Sequence, residues 1–285
     1  MAKKYDKHLD DLIKYYYCEL GKSPYWMVQN VEEFKGKRPS VIYGVMERLN
    51  IKTKKSITLT EKQRKSRRKY NLNDDYFENI DNEHKAYWLG FLYADGYVTN
   101  KDKIGISLSK IDYGHLVKFK NDISAEAPIK LYTQTQGYVE GTQYARIILS
   151  SKKMKDDLVS NGVLENKTDI LEFPKKLDKN LYNHFIRGYF DGDGCITHGG
   201  YQKDGTEKFN IKIVGTMEML NKINEVFGTC VKLIKRHPDR DTNNYTITIC
   251  GNRQVKRVMD FLYKDATIYL DRKYEKYLNL LKQVI

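Results

Sequence analysis

Asp95 and Asp193 end two similar stretches, "YWLGFLYADGYV" (87–98) and "FIRGYFDGDGCI" (185–196). Each stretch is mostly apolar and closes on an acid followed by glycine. Read as helices, both put the acid at the C-terminal end, where unpaired carbonyls already concentrate negative charge. Two such carboxylates brought together would repel. A divalent cation removes the conflict, because Mg²⁺ (or Mn²⁺) favours hard oxygen donors such as carboxylates, carbonyls and water. An ion held there beside a phosphodiester would activate water and neutralise the leaving oxygen.

The same stretches say how the acids could meet. Gly90 and Ala94 are spaced four apart, as are Gly188 and Gly192. Small residues at that spacing share one helix face and let two backbones approach closely. The two helices are therefore expected to pack against each other about a pseudo-twofold axis, with both acids at one end.

The elements that follow each stretch repeat as well. After the first come strand-like "KIGISLS", "PIKLYTQ" and "YARIILS", with helix-like "YGHLVKFKNDI" and "SKKMKDDLVSNG" among them. After the second come "KFNIKIVG", "VKLIKR" and "YTITICG", with "TMEMLNKINEVFG" and "NRQVKRVMDFLY" in the matching places. Alternation places Ile104, Ile106 and Leu108 on one face, and Phe209, Ile211 and Ile213 likewise. The expected fold is α+β: two pseudo-symmetric αββαββα repeats (81–172 and 173–285) forming a saddle with apolar backs under helices and polar, basic fronts.

The N-terminal quarter reads differently. Helical periodicity in "HLDDLIKYYYCEL" groups Leu9, Leu12, Ile13, Tyr16 and Leu20, with Gly21 as a stop. Ser23-Pro24 reads as an N-cap with proline in the first turn, and a third helix is expected from about Ser40. This makes residues 1–60 a small all-α, helix-turn-helix-like domain whose third helix would recognise DNA. Residues 61–80 are expected to be a basic linker, since six of the eight residues from Lys62 to Lys69 are basic.

Composition narrows the partner. The chain has 50 Lys+Arg against 37 Asp+Glu, a net charge of +13, which favours a polyanion and nucleic acid above all. No run approaches the roughly 18 apolar residues of a membrane helix, so no membrane partner is expected. The N-terminus "MAKKYDKHLDD" lacks the apolar core of a secretory signal, and a cytoplasmic, reducing location is expected. Cys18, Cys195, Cys230 and Cys250 form no C-x-x-C pair and are expected to be buried thiols. The histidines show no metal-ligand spacing.

"WLGFLYADG" (88–96) and "IRGYFDGDG" (186–194) resemble the two signature helices of single-chain LAGLIDADG homing endonucleases, and the likeness extends over roughly residues 76–285. The resemblance implies that Asp95 and Asp193 are metal ligands and catalytic, with Ala94 and Gly192 lending backbone carbonyls. Asp191 falls where the motif has its first acid, and Tyr93 replaces that acid in the first copy. "NGVLENKTDILEFP" and "ATIYLDRKYEKY" resemble the segments that carry a basic residue near the cut phosphates. They nominate Lys167 and Lys273, with Arg272 close to the second.

The resemblance implies a monomeric, site-specific double-strand DNA endonuclease making a staggered cut in a long non-palindromic site. Candidate DNA contacts are Arg38, Ser40, Arg64, Arg67, Arg68, Lys103, Lys130, Arg146, Lys212, Lys232 and Lys235. Two alternatives share the scaffold: an RNA-splicing maturase, with intron RNA as partner, and a DNA-binding regulator without nuclease activity.

Overall fold

The structure, a computed structural model, describes residues 7–51, 65–135, 140–201 and 203–283. The chain divides into two units, Met1–Arg64 and Lys65–Ile285. Among the described residues no helix is long and apolar enough to cross a membrane.

In the first unit, helix α1 (Lys7–Ile13) runs on as a π-helical segment, Lys14–Glu19. Helices α2 (Pro24–Asn30) and α3 (Pro39–Arg48) follow, with a 3-10 turn at Glu32–Phe34 in the gap between them. Ser23 caps α2 as expected, its hydroxyl accepting from Trp26 N at 3.1 Å. The third helix starts one residue earlier than Ser40, because Pro39 with its fixed φ takes the first helical position. Ile13, Tyr17, Met27, Val31, Phe34, Ile42 and Met46 form the unit's own core. Leu20 departs from the expected face and is 46% exposed. The wider π turn rotates later residues away from a 3.6-residue stripe, so Tyr17 takes the inward place.

The second unit contains two four-stranded antiparallel sheets of identical topology, the α+β pattern expected. The first comprises β1 (Gly96–Thr99), β2 (Lys103–Ser109), β3 (Lys130–Thr133) and β4 (Gln143–Ser150) in the order β1-β2-β4-β3. The second comprises β5 (Gly194–Tyr201), β6 (Glu207–Gly215), β7 (Ile234–Lys235) and β8 (Tyr245–Cys250) in the order β5-β6-β8-β7. Registers match too: Ile104 and Ile106 pair with Leu149 and Ile147, as Ile211 and Ile213 pair with Ile249 and Ile247. All eight are buried, whereas Ile148 and Lys212 between them are exposed. Tyr113–Asp122 and Lys152–Ser160 cover the first sheet, and Met217–Phe227 and Asn252–Tyr263 the second.

Three sequence expectations need correction. All four cysteines are exposed; Cys195 and Cys250 are so because they take the outward strand positions beside buried Ile196 and Ile249. The segment expected as a linker up to residue 80 is docked well before its end: Tyr76 and Phe77 are buried in the core, with Tyr70, Leu72 and Ile80 packed against it. Strand β7 is only two residues long, where six had looked strand-like.

The two glycine-bearing helices, Glu83–Ala94 and Tyr182–Asp193, pack against each other and lead directly into β1 and β5. Asn82 caps the first, accepting from Lys85 N at 3.1 Å. Every residue from Ala86 to Tyr93 is buried, as befits a helix apolar all round and enclosed by protein. The helices meet as the small-residue spacing predicts. A Cβ on Gly90 would lie 1.9 Å from the Phe185 carbonyl oxygen, and one on Gly188 would lie 1.9 Å from the Tyr87 carbonyl oxygen. A Cβ on Gly192 would meet the Ala94 methyl at 2.3 Å.

Because backbone cannot move aside as a side chain does, Gly188→Ala should cost about 3 kcal/mol or more. Gly114→Ala, where a Cβ meets nothing within 4 Å, should be neutral or slightly stabilising. Thermal melts of the two variants against the parent check both; equal melting temperatures would contradict the contact.

Candidate active site at the helix tails

The glycine contact delivers both acids to one place. Asp95 is the C-cap of its helix, and Asp193 is the last residue of the other. A Cβ on Gly192 would lie 3.3 Å from Asp95 Oδ2, so the second helix backbone runs directly past the first carboxylate. Asp95 is open to solvent and Asp193 partly buried. The enclosing protein pushes the Asp193 carboxyl up to about 6, with the Asp95 charge adding to the rise and Lys167, Lys273 and Arg236 opposing it. Asp95, although it reaches the surface, is raised as well by the protein packed around its carboxyl, against the pull of Lys273, Lys167 and Arg272.

The lysines nominated by sequence both reach these tails, at equivalent carbonyls but with different commitments. Lys167 is partly buried and donates to the Gly96 carbonyl. Burial lowers its pKa, while Asp193 and then Asp95 draw it back up. Lys273 is only 3% exposed. Its ammonium donates to Phe190 O at 2.5 Å, Asp191 O at 2.7 Å and Gly194 O at 2.6 Å. An ammonium has three N–H donors, so Lys273 is fully used in capping the tail of the second helix. Burial holds it down to about 8, against the Asp191 charge. Arg272 is instead paired with Asp112 at 3.0 Å.

Beneath the tails lies a buried polar network. Asp191 is fully enclosed and accepts from Tyr87 Oη at 2.6 Å, Tyr263 Oη at 2.5 Å and Leu270 N at 2.8 Å. Burial holds both phenols far above their ordinary range, so they stay protonated and donate. Tyr87 spends its only proton on Asp191, so the His115 ring, 3.0 Å away, donates to it through Nε2. Burial pushes His115 down to about 3 and keeps it neutral. In the first repeat Tyr93 replaces the acid and donates to Asn161 O at 2.5 Å.

Sequence reasoning missed two arginines. Arg187 is fully buried within the second helix and donates to Ile268 O at 2.9 Å, Leu262 O at 2.8 Å and Glu83 Oε1 at 2.6 Å. A lone charge inside an apolar helix was the available signal. Arg236 acts on Asp193 and belongs to the open face of the second sheet. The register pairs Lys235 with Tyr245, which packs on the core, so Ile234 and Arg236 alternate to the outer side. Lys235, the residue nominated, therefore faces the helix-covered side.

The other nominated contacts are scattered. Lys103, Lys130, Lys212 and Lys232 are exposed and Arg146 is half-buried, with Lys232 preceding its strand. Arg67 is exposed, whereas Arg68 is bound in a fork to buried Asp74, at 3.1 and 2.6 Å. Arg38 and Ser40 are exposed at the start of α3, and Arg64 lies outside the described residues.

The donor set at the tails fits a hard divalent ion. Among the described residues, the Ala94 and Gly192 carbonyls accept no hydrogen bond from outside their helices, while lysines occupy those of Gly96, Phe190, Asp191 and Gly194. Two carboxylates and two uncommitted carbonyls make an all-oxygen set. No cluster of three or more His, Cys, Asp or Glu side chains able to hold a metal occurs among the described residues.

Two predictions follow from these contacts. Lys273→Met strands three carbonyls and should cost about 3 kcal/mol or more, while Lys167→Met should cost about 1 kcal/mol; melts in chelator would compare them. The raised Asp193 pKa has a definite sign. Between its unfolded value of 3.8 and about 6 the folded chain holds the extra proton, so this group's contribution to stability falls as pH rises through that window. Asp193→Asn, melted in chelator, should therefore be about 2 kcal/mol more stable than the parent at pH 7, allowing for partial exposure. The gain should shrink toward pH 4; a gain that is absent at pH 7, or unchanged at pH 4, would contradict the assignment.

Residues 186–284 match the sequence model of the LAGLIDADG endonuclease family. No curated protein matches the chain. Among solved structures, the LAGLIDADG homing endonuclease I-GzeII in complex with its DNA target is similar at 13% identity, covering 70% of this chain and 89% of that one, with a TM-score of 0.48. The meganuclease I-SmaMI bound to uncleavable DNA is similar at 12% identity over 69% of this chain and 88% of that one, with a TM-score of 0.47. I-LtrWI, a LAGLIDADG homing endonuclease bound to target DNA, is 13% identical over 74% and 91%, with a TM-score of 0.46. The family match thus lies on residues 186–284, and the helix and sheet ahead of them repeat the strand order and register of that segment.

Proposed function

We propose that this protein is a homing-type endonuclease: a monomer that hydrolyses both strands of a long, non-palindromic DNA site in a staggered cut. The observation that carries this reading is the meeting of Asp95 and Asp193 at the tails of the glycine-packed helix pair, beside two uncommitted carbonyls. Asp95, Asp193, Ala94 O and Gly192 O would hold Mg²⁺ or Mn²⁺. When bound, the ion supplies Lewis acidity toward the phosphate and a more acidic water.

The protein's own groups do the remaining work. Lys167 has one N–H on Gly96 O, which leaves two to stabilise charge developing on a phosphate oxygen or to orient water. Lys273 acts through the backbone it caps, holding the tail that carries Asp193. The open strand faces would lie along the major groove, with side chains reading base edges and cations holding phosphates. The first unit would add a second DNA contact through Arg38, Ser40 and the exposed side of α3.

Duplex DNA made by joining the exons that flank an intron carrying the gene, incubated with Mg²⁺, should be cut on both strands, and chelator should stop it. Asp95→Asn and Asp193→Asn should each lower the rate by on the order of 10³. Full-rate cutting by either variant would overturn the assignment of the acids. Removing residues 1–60 should weaken DNA affinity at least several-fold with the single-turnover cleavage rate kept; unchanged affinity would refute the role given to the first unit.

A further inference from the structure

The outer faces of the two sheets differ sharply at one register row. In the first sheet Ser107, Arg146 and Lys130 lie side by side across β2, β4 and β3. The buried pairs Ile106–Ile147 and Ile213–Ile247 align the sheets, and the row beside the second pair holds Val214, Thr246 and Ile234 across β6, β8 and β7. One row carries two cations. Its counterpart carries none and presents methyl groups, with Ile234 61% exposed.

Arg146 is also held in place before any partner arrives. Its Nε donates to Ser107 Oγ at 2.7 Å. Its guanidinium carbon lies 5.5 Å from the Tyr132 ring centre and 5.2 Å from that of Tyr144. Those two rings, paired across β3 and β4, stack at 5.3 Å with planes 18° apart. A long side chain usually loses rotamer freedom on binding; one already fixed by a hydroxyl and an aromatic pair loses less. With Nε engaged, the terminal nitrogens remain as a two-pronged donor.

Such a fork matches guanine, which presents O6 and N7 as paired acceptors in the major groove, whereas thymine presents a methyl group suited to apolar contact. We propose, building on the DNA-cleavage reading above, that this row sets the asymmetry of the target. Arg146 selects a guanine in the half-site under the first sheet, and Val214, Thr246 and Ile234 select thymine at the pseudo-symmetric position of the other half.

The test is selection of bound duplexes from a randomised pool by the full-length protein in chelator, so that nothing is cut. The enriched sites should hold guanine at one position of one half-site and thymine at the mirrored position. Arg146→Lys keeps the charge and removes the fork, and should lower the preference for guanine there at least ten-fold while leaving other positions sharp. Ile234→Ala should relax the mirrored thymine alone. Selected sites whose guanine preference survives in Arg146→Lys would overturn the inference while leaving the DNA reading standing. A pool from which the parent protein enriches no duplex would overturn both.

Discussion

The site depends on a close approach of two backbones. Gly90 lies against the Phe185 carbonyl and Gly188 against the Tyr87 carbonyl, each leaving no room for a Cβ. A side chain at either place would part the helices by more than an ångström, and the separation would carry through to their tails. Asp95 and Asp193 would then influence one another less. The pairing of acids is therefore a property of packing, and the electrostatic cost it creates is borne by a core built to hold the helices together. Site residues that conflict with stability in this way are expected where function demands them.

Buried polar groups reinforce the approach from both ends. Near the helix starts, Arg187 joins Glu83 of the other repeat to carbonyls of Leu262 and Ile268. Near the tails, Asp191 gathers hydroxyls from Tyr87 and Tyr263, and Lys273 closes the second tail with three bonds. Charges so enclosed are tolerable because nearly every donor and acceptor is matched. Loss of one partner would leave the others exposed to the full cost of burial, which makes these groups fastening points for the site.

Much of this was legible in the sequence, for identifiable reasons. Period-two alternation located the long strands, and period-four small residues located the helix contact, because both patterns are imposed by burial on one face. The acids stood out by conflicting with the helix ends. What escaped depended on tertiary detail. The π segment at Lys14–Glu19 has no sequence signature, so Leu20 was assigned to the wrong face. Short β7 offers too little alternation to fix its register from sequence, so nothing there tells that Lys235 faces the helices and Arg236 faces outward. Cysteine composition pointed to burial, yet Cys195 and Cys250 sit at outward strand positions that alternation alone would have given. The commitment of Lys273 to three carbonyls, and the fork between Arg68 and Asp74, are invisible until the backbone is in place.

The glycine contact has a consequence for how the halves find each other. Backbone atoms are the same in every chain, so a surface built from them carries little chemical address, and a repeat bearing it could mate with any similar repeat. Covalent tethering answers this by raising the local concentration of the proper mate far above that of a stranger. Arg187 and Glu83 add polarity to an otherwise near-symmetric seam, since only one helix contributes the cation. Kinship between the halves is thus enforced by linkage and by charge pairs across the seam, Arg187–Glu83 and Arg272–Asp112 among them, which leaves each sheet free to diverge in what it recognises.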